Sequence, residues 1–424
     1  MKDNLNFKTI TKCRACNSSK LRPIISLGNI SIVGFFASVN IKPTKVPLKL
    51  VLCDKCKLLQ LKHTTNPSLL WNAEYGYISG INKTMRNELK NIARIGENIS
   101  KITSGDIVID IGCNDGTLLK YLKTKNIKRV GFDPSHNVIS LAYQNLRRYG
   151  EDYYTLIVDF FSKNPYQKKF KKKAKLITAI AMFYDLDDPN TFLEHVRACL
   201  RQDGVFIIQQ NYLSGMLKSN AFDNILHEHL EYYSLSSLYN LLQRHDLEVF
   251  DVGQNGINGG SFRTYIKHKR SRMGTQEGSK RVEKMLNFEE KEGLLNLSTY
   301  NDFAKRINSL GNDLISFLQK EVTRGKKIFI YGASTRGNTL LNYCKINKKL
   351  ISAAAERNPY KWGKIIAGSG IPIISEDEAR EIKPDYFLVL PWYFKNEFLE
   401  REKEYLSSGG KFIFPLPKFE VIGI

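Results

Sequence analysis

The stretch "IVIDIGCNDGTLLKYL" (residues 107–122) decides the fold, because its apolar run, glycine turn and amphipathic segment predict a strand, a loop and a helix. Glycines let a backbone approach a ligand closely, and the N-terminus of a helix offers free amide donors. The strand ends at an acidic residue, and the loop carries further polar groups. The sequence therefore predicts a ligand-binding turn formed by Asp110, Gly112, Asn114, Asp115 and Gly116.

The loop also indicates which ligand it binds. A dinucleotide site has the pattern G-x-G-x-x-G, whereas this loop is D-x-G-x-x-x-G, and Asp110 would repel a pyrophosphate. The pattern suits a cationic, phosphate-free ligand with a carboxylate and an amine, and S-adenosylmethionine meets that description. Asp133, at the end of the next strand "RVGFDP", is the predicted partner of its ribose. Asp159 and Phe160 of "VDFFS" (158–162) are predicted to meet its adenine. An ordinary Rossmann half without a ligand is the alternative.

The surrounding sequence places this turn in an α/β domain. Residues 106–212 alternate helical segments with strands that are apolar on both faces, as a parallel sheet covered by helices requires. The stretch 247–268 predicts an antiparallel hairpin at one edge of the sheet, which is typical of a class I, Rossmann-like methyltransferase core. A helix is predicted over 82–102, and residues 269–298 are predicted to be charged and irregular.

The N-terminal part of the chain predicts a zinc-binding module. Its cysteines form two Cys-x-x-Cys pairs, and two such turns complete the tetrahedron of thiolates that a structural zinc ion requires. Because four thiolates leave no open coordination position, we expect this ion to support the fold and to take no part in chemistry. The predicted ligands are Cys13, Cys16, Cys53 and Cys56.

A second strand–turn–helix, "KKIFIYGASTRGNTLLNYC" (326–344), begins a C-terminal Rossmann-like α/β domain. Hydroxyls, amides and a guanidinium in its turn favour the diphosphate of a nucleotide sugar over NAD, and a purely structural domain is the other alternative. The predicted substrate-binding residues are Ser334, Thr335, Arg336, Asn338, Glu356, Arg357 and Trp392. The predicted domains are 1–70 (zinc-binding module), 71–270 (methyltransferase domain) and 271–424 (nucleotide-sugar domain).

The stretch "ILHEHLEYYS" (225–234) places His227, Glu228 and His229 after the fifth strand, where they should face the methyl donor. A metal site and a pair of structural histidines are two interpretations. We favour general acid–base catalysis, in which one histidine accepts a proton and Glu228 orients that histidine.

Composition bears on partners and location. The net charge of +22 would suit a polyanion, but the lysines are spread along the chain, so a nucleic acid partner is not expected. "IAMFYDLD" (180–187) contains neither of the motifs with which base-methylating enzymes read their acceptor, which points the same way. With no apolar run near eighteen residues and no apolar signal core, we expect a cytoplasmic protein without a membrane contact, either monomer or weak homo-oligomer.

The paired cysteines, "DIGCNDGTLL", "HEHLEYYSL", "YGASTRGNTLL", "ERNPYKWGK" and "GGKFIFPLP" occur in this order along the chain. In these motifs it resembles the zinc-containing sugar C-methyltransferases of deoxysugar pathways, over essentially its whole length. The resemblance implies methylation of carbon 3 of a dTDP-linked 4-keto-6-deoxyhexose, with His229 as base, Glu228 beside it, and Tyr75 or Tyr77 close to the sugar. The chain departs from the family at Leu226, where a tyrosine is common, and it has no histidine after the fourth strand, where Tyr184 is the candidate replacement.

Our hypothesis is that a 4-keto group acidifies the adjacent C–H, that His229 removes this proton, and that the enolate carbon attacks the methyl donor in line. O- or N-methylation of a nucleotide sugar is the main alternative, followed by a zinc-bearing RNA methyltransferase.

Overall fold

The computed structural model describes residues 6–32, 36–37, 43–71 and 77–423, and only the backbone of 36–37. The predicted site residue Tyr75 lies outside these ranges. The N-terminal part consists of short antiparallel strands that connect the two cysteine turns. They are β1 (Phe7–Thr9), β2 (Leu21–Ser31), β3 (Phe36–Ala37), β4 (Lys45–Cys53), β5 (Leu59–Leu61) and β6 (His63–Thr65).

The central domain begins with helix α1, whose buried residues recur at helical spacing and face the sheet that follows. Strand β7, inside the opening stretch, is buried at all five positions, as a strand covered on both faces must be. The elements are α1 (Lys83–Ser100), β7 (Ile107–Ile111), α2 (Thr117–Tyr121), β8 (Lys128–Phe132), α3 (His136–Leu146), β9 (Tyr154–Ile157), α4 (Lys163–Lys169), β10 (Ala174–Ile180), α5 (Pro189–Cys199), β11 (Leu200–Asn211), α6 (Leu213–Lys218), β12 (Glu231–Tyr232), α7 (Leu235–Gln243), β13 (Leu247–Asn255) and β14 (Ser261–His268).

The seven-stranded sheet has the order β13-β14-β11-β10-β7-β8-β9. Its five strands from β11 to β9 are parallel, and the hairpin β13–β14 runs antiparallel at the edge. This topology confirms the predicted class I methyltransferase core. The carboxyl ends of β7, β8 and β10 meet at one edge of the sheet, which places the loop of residues 112–116 beside the ends of its neighbours.

Two helices connect this domain to the C-terminal one: α8 (Gln276–Lys291) and α9 (Leu297–Thr323). The prediction of irregular structure over 269–298 is therefore wrong. In α8 the buried positions 278, 282, 285 and 289 follow a helical period, but one of them is Gly278 and another is Glu289. Exposed charged residues separate them, so the apolar pattern of this helix is weak in the sequence.

The C-terminal domain is a second α/β unit, as predicted. Its six-stranded sheet has the order β18-β16-β15-β19-β20-β21, with only β21 antiparallel. The elements are β15 (Ile328–Tyr331), α10 (Thr335–Tyr343), β16 (Ala353–Glu356), β17 (Ile365–Ile366), β18 (Ile373–Ser375), α11 (Glu376–Ile382), β19 (Tyr386–Val389), α12 (Lys395–Arg401), α13 (Lys403–Ser407), β20 (Lys411–Phe414) and β21 (Glu420–Ile422).

The three parts share strands and core. Strand β12, which follows the His-Glu-His segment, pairs with β5 and so joins the four-stranded sheet β12-β5-β4-β2 of the N-terminal part. One hydrophobic core contains side chains from β4, such as Leu48 and Leu50, together with Phe329 and Phe387 of the C-terminal sheet. Within the described part of the chain, no helix combines the length and apolar character needed to cross a membrane.

Candidate active site

The four cysteines of the two pairs come together in one cluster. Their sulfur atoms all lie within 4.8 Å of one another, with Cys13 Sγ 3.6 Å from Cys56 Sγ and Cys16 Sγ 3.5 Å from Cys53 Sγ. A tetrahedron with Zn–S bonds of about 2.3 Å has edges of roughly 3.8 Å, so the donor set fits zinc. Hydrogen bonds from Cys13 and Cys56 lower the pKa of the Cys53 thiol, whereas the same contacts and burial raise the pKa values of Cys13 and Cys56.

A polar network connects this cluster to the methyltransferase domain. Gln60 Nε2 donates to Cys13 Sγ at 3.1 Å. The guanidinium of the buried Arg14 donates to Leu61 O at 2.6 Å and to Asp187 Oδ1 at 3.4 Å. Asp187 follows β10, and its carboxylate also accepts from Thr64 Oγ1 at 2.6 Å. The cysteine cluster therefore holds the loop that leaves the central strand of the sheet.

The carboxyl edge of the seven-stranded sheet contains an open pocket, which we call the donor cavity. Its open volume, including the mouth, is about 1010 Å³. The predicted residues that line it are Asp110, Gly112, Asn114, Asp133, Asp159, Phe160 and Tyr77. Apolar side chains complete the wall, among them Phe132, Phe161, Met182 and Leu186.

The charge of the donor cavity fits S-adenosylmethionine. Four of its lining residues are aspartates, and the described lining residues include no lysine or arginine. Burial raises the pKa of Asp110 to about 7, so its ionised form is favoured by a cationic ligand. The carboxylate of Asp133 accepts from the backbone N–H of Asn114 and of Ser135, which fixes it at the end of β8 with lone pairs left for hydroxyl groups.

Two of the predicted loop residues do not line the donor cavity. Asp115 instead accepts from the backbone N–H of Gly80 at 3.1 Å, and Gly116 lies against Ala142 of α3, where a Cβ atom would come within 3.2 Å. The side chain of Asn114 accepts from Ser79 N at 2.9 Å and donates to Tyr77 O at 3.0 Å. These contacts hold residues 77–81, which we call the strap, against the loop beside the cavity.

His229 lines a second, smaller pocket, the histidine cavity, together with Tyr184. The two rings pack edge to face, with centroids 4.4 Å apart. Nδ1 of His229 lies 2.9 Å from Asn224 O, and because a carbonyl only accepts, this nitrogen is the donor and Nε2 carries the free lone pair. Burial lowers the pKa of His229 to about 4, with a further contribution from the Arg336 charge. The imidazole is therefore a neutral base at pH 7.

The other two residues of the His-Glu-His segment differ in environment. His227 is fully buried, lies 3.1 Å through Nε2 from Val46 O, and lines neither cavity. Burial raises the pKa of Glu228 to about 7. Among the described residues, the cysteine cluster is the one group of three or more His, Cys, Asp and Glu side chains close enough to bind a metal, so the structure gives no support to a metal at His227 and His229.

Two acidic residues at this site were missed by the sequence analysis. Asp185 lines the donor cavity, and Glu231 lines the histidine cavity, where Tyr233 Oη donates to its Oε2 at 2.8 Å. Asp185 had a usable signal, because an acidic residue after a parallel strand lies at the ligand-binding edge. No pattern in the sequence indicates Glu231, because its burial depends on the pairing of β12 with the N-terminal sheet.

The residues predicted to bind a nucleotide sugar line neither cavity, as far as the described residues define them. Ser334 caps α10, and Asn338 and Trp392 are buried. Glu356 accepts from Asn358 N at 2.9 Å, and the neighbouring Arg357 is exposed. Thr335 is half-buried in the first turn of α10.

Arg336 and Trp392 instead meet at Asp223, which is 1% exposed. Arg336 Nη2 donates to Asp223 Oδ1 at 3.1 Å, and Trp392 Nε1 donates to Oδ2 at 3.0 Å. The residue after Asp223 is Asn224, whose carbonyl binds His229. The C-terminal domain is thus connected to the histidine through two hydrogen-bonded steps.

Three family models match successive parts of the chain: a zinc binding domain over residues 13–71, a methyltransferase domain over 82–252, and a C-methyltransferase C-terminal domain over 256–417. The C-methyltransferase NovU of Streptomyces niveus is 30% identical over 419 residues, which is 98% of this chain and 97% of that protein.

Similar solved structures include an S-adenosylmethionine-dependent methyltransferase from Clostridium acetobutylicum, with 16% identity over 45% of this chain and 92% of that chain and a TM-score of 0.35. Magnesium protoporphyrin IX methyltransferase from Synechocystis, solved with bound SAH, has 12% identity over 45% of this chain and 90% of that chain and a TM-score of 0.35.

The zinc-type cysteine cluster, the class I sheet with its acidic donor cavity and the full-length match to a C-methyltransferase agree with one another. The chain belongs to the zinc-binding, S-adenosylmethionine-dependent C-methyltransferases.

Proposed function

We propose that this enzyme methylates carbon 3 of a nucleotide-linked 4-keto-6-deoxyhexose, in the synthesis of a deoxysugar or a surface glycan. The observation that carries the proposal is His229, a neutral imidazole whose Nδ1 is engaged and whose Nε2 is free to take a proton. A carbon next to a carbonyl has an acidic C–H, so a base of this kind is what methylation of carbon requires.

His229 is the proposed base. The Asn224 carbonyl fixes the tautomer, and Tyr184 packs against the ring, so that the Nε2 lone pair keeps one direction. Proton removal converts the imidazole to imidazolium, which the same carbonyl stabilises by accepting a stronger, charge-assisted hydrogen bond. Glu228, next in sequence, is the proposed partner of this charge, and Tyr77 is proposed to contact the sugar from the donor side.

When bound, S-adenosylmethionine supplies the electrophilic methyl group that the enolate carbon accepts. Asp110, Asp133 and Asp159 are the residues placed to hold it, because all three line the donor cavity.

The nucleotide diphosphate is proposed to bind near the N-terminus of α10, with Ser334, Thr335 and Arg336. Backbone N–H groups at this end of the helix and the guanidinium of Arg336 favour an anion. The charge of Arg336 also acts on both His229 and Tyr184, which supports a position between the diphosphate and the reacting carbon.

Exchange of the sugar's α-proton tests the proposal. In deuterium oxide, with S-adenosylhomocysteine in place of the methyl donor, the wild-type enzyme should incorporate deuterium at carbon 3 of a dTDP-4-keto-6-deoxyhexose, followed by NMR. His229→Gln should slow both this exchange and methyl transfer by about 10²–10⁴-fold, the usual contribution of a general base.

His195→Gln is the matched control. His195 lies on α5 and lines neither cavity, so this variant should exchange at the wild-type rate. Methyl transfer to a nucleotide sugar without any exchange, and with only a modest loss in His229→Gln, would instead identify an O- or N-methyltransferase.

A further inference from the structure

The loop after β10 presents two side chains to the two sides of the candidate site. Ala181 adopts a left-handed conformation with φ of 54°, which is unusual for a residue with a Cβ atom, and Phe183–Asp185 form a single 3-10 turn. Tyr184 consequently lines the histidine cavity, whereas Asp185 lines the donor cavity. Adjacent residues of one turn therefore line the two cavities.

The surroundings of Asp185 disfavour its charged form. Its Oδ1 is buried and has no hydrogen-bond partner among the described residues. The groups that act on it are the carboxyls of Glu228 and Glu231, and Asp185 in turn acts on the hydroxyls of Tyr184 and Tyr232. Burial, followed by these two like charges, raises the pKa of Asp185 well above its usual range.

The three carboxyls differ in what stabilises their ionised forms. Glu231 accepts from Tyr233 and is near the Arg14 charge, and the ionised form of Glu228 is stabilised by a backbone N–H. Asp185 has no such favourable contribution. Among the three carboxyls, Asp185 is the one that lines the donor cavity.

We propose that Asp185 is a catalytic residue, a neutral carboxylic acid that donates a hydrogen bond to the acceptor's carbonyl oxygen as the enolate forms. This deepens the proposed function and rests on it. The C–H bond breaks and its proton goes to His229 Nε2, its electron pair becomes the C=C bond, and the carbonyl π pair moves to the oxygen. Asp185 keeps its proton and shares it with that oxygen, so charge and atoms balance.

The experiment compares wild type, Asp185→Asn and Asp185→Ala in donor-free exchange of the α-proton and in methyl transfer. The amide of Asn is a weaker donor and Ala has none, so both rates should fall about 10²-fold in Asp185→Asn and further in Asp185→Ala. Affinity for S-adenosylhomocysteine, measured by calorimetry, should change less than threefold. In the pH profile of kcat, the wild type should lose activity at alkaline pH as Asp185 ionises. The profile of Asp185→Asn should lack this alkaline decrease.

Asp188→Asn, in the same loop, is the matched control, because Asn can replace the exposed Asp188 as the cap of α5 and should leave both rates unchanged. If wild type exchanges the proton and either Asp185 variant exchanges it equally fast, the role of Asp185 is refuted while the proposed function stands. If wild type exchanges nothing, the proposed function itself fails. Should Asp185→Asn not fold, Asp185→Ala decides, because it removes a buried carboxyl that has no partner at Oδ1.

Discussion

Single residues of the site owe their properties to burial in a polar cluster with few counter-charges. His229 is neutral because burial disfavours its charged form, and burial also raises the pKa values of Glu228 and Glu231 to about 7 and about 8. His229 as a neutral base and Glu231 as a protonated acid are thus available at one pH. The arrangement costs folding stability, because each buried carboxyl is easier to ionise in the unfolded chain.

Glu231→Gln should reveal that cost as a function of pH. The pKa of Glu231 rises from 4.5 to about 8 on folding, so the folded state binds the extra proton between these values and the wild type loses stability as pH rises. Gln cannot ionise, so the free energy of unfolding of the variant, relative to that of the wild type, should increase by up to about 4 kcal/mol between pH 5 and pH 8. Thermal unfolding at pH 5 and pH 8 measures the difference.

Tyr233→Phe is the companion variant. It removes the hydroxyl that donates to Glu231 Oε2 and leaves the carboxyl in place, so it should raise the pKa of Glu231 further and extend the loss of stability to higher pH. A difference between Glu231→Gln and wild type that stays constant from pH 5 to pH 8 would contradict the raised pKa.

The sequence could predict the residues of this site only where local pattern determines position. Asp110, Gly112, Asn114 and Asp133 follow parallel strands, and the structure brings them to one cavity. Asp115 and Gly116 belong to the same motif, but they face the strap and α3, which the local pattern does not indicate. The roles of the site residues remain predictions.

Among the elements, the strap of residues 77–81 is the one most closely fitted to the donor loop. A Cβ atom at Gly80 would lie 2.2 Å from Asp115 Oδ2 and 2.8 Å from Thr117 Oγ1. Gly80→Ala should therefore push the strap away from the loop and weaken binding of S-adenosylhomocysteine by about tenfold, equivalent to about 1.4 kcal/mol. Calorimetric titration measures the affinity.

Gly253→Ala in β13 is the matched control, because no atom lies within 4 Å of its added Cβ. It should bind the ligand as the wild type does. Equal affinities in Gly80→Ala and Gly253→Ala would show that the strap does not shape the donor site.

The elements also show where sequence patterns reach their limit. The strands of both sheets are apolar runs that the sequence identifies, but α8 was missed because Glu289 occupies a buried position. Its carboxylate accepts from Leu235 N at 2.6 Å and Ser236 N at 2.8 Å, at the N-terminus of α7. Only the tertiary structure reveals that partner, as it reveals the pairing of β12 with β5.

At the scale of the whole molecule, the zinc-type cluster supports the part of the site that contains the His-Glu-His segment, where the methyl acceptor is proposed to bind. Strand β12 carries the histidine segment into the N-terminal sheet, whereas the donor cavity is built mainly on the seven-stranded sheet. Removal of the metal with a chelator should therefore abolish methyl transfer and lower the melting temperature, yet leave binding of S-adenosylhomocysteine largely intact. Calorimetry on the metal-free protein tests this division, and parallel loss of ligand binding would contradict it.

A buried ion pair between Asp223 and Arg336 contributes to the contact between the C-terminal domain and the histidine segment, beside the hydrogen bond from Thr339 Oγ1 to Ile225 O. Asp223→Asn leaves the charge of Arg336 without its partner, and should cost about 3–5 kcal/mol of the free energy of unfolding. Arg336→Met should also lower the free energy of unfolding. The double variant Asp223→Asn/Arg336→Met should lose less than the sum of the two single losses, because neither charge then remains without its partner. Trp392→Phe, which loses only the N–H donated to Asp223, should cost about 1 kcal/mol.

The same cycle tests whether the contact matters for the base. Asn224 follows Asp223 and holds His229 by its carbonyl, so Asp223→Asn should slow exchange of the α-proton while the affinity for S-adenosylhomocysteine stays unchanged. Unfolding by urea gives the coupling energy of the pair, and NMR of the sugar gives the exchange rate. A coupling energy below about 0.5 kcal/mol would contradict a contribution of the ion pair to the contact between the two domains, because contacting residues in one network usually exceed that value.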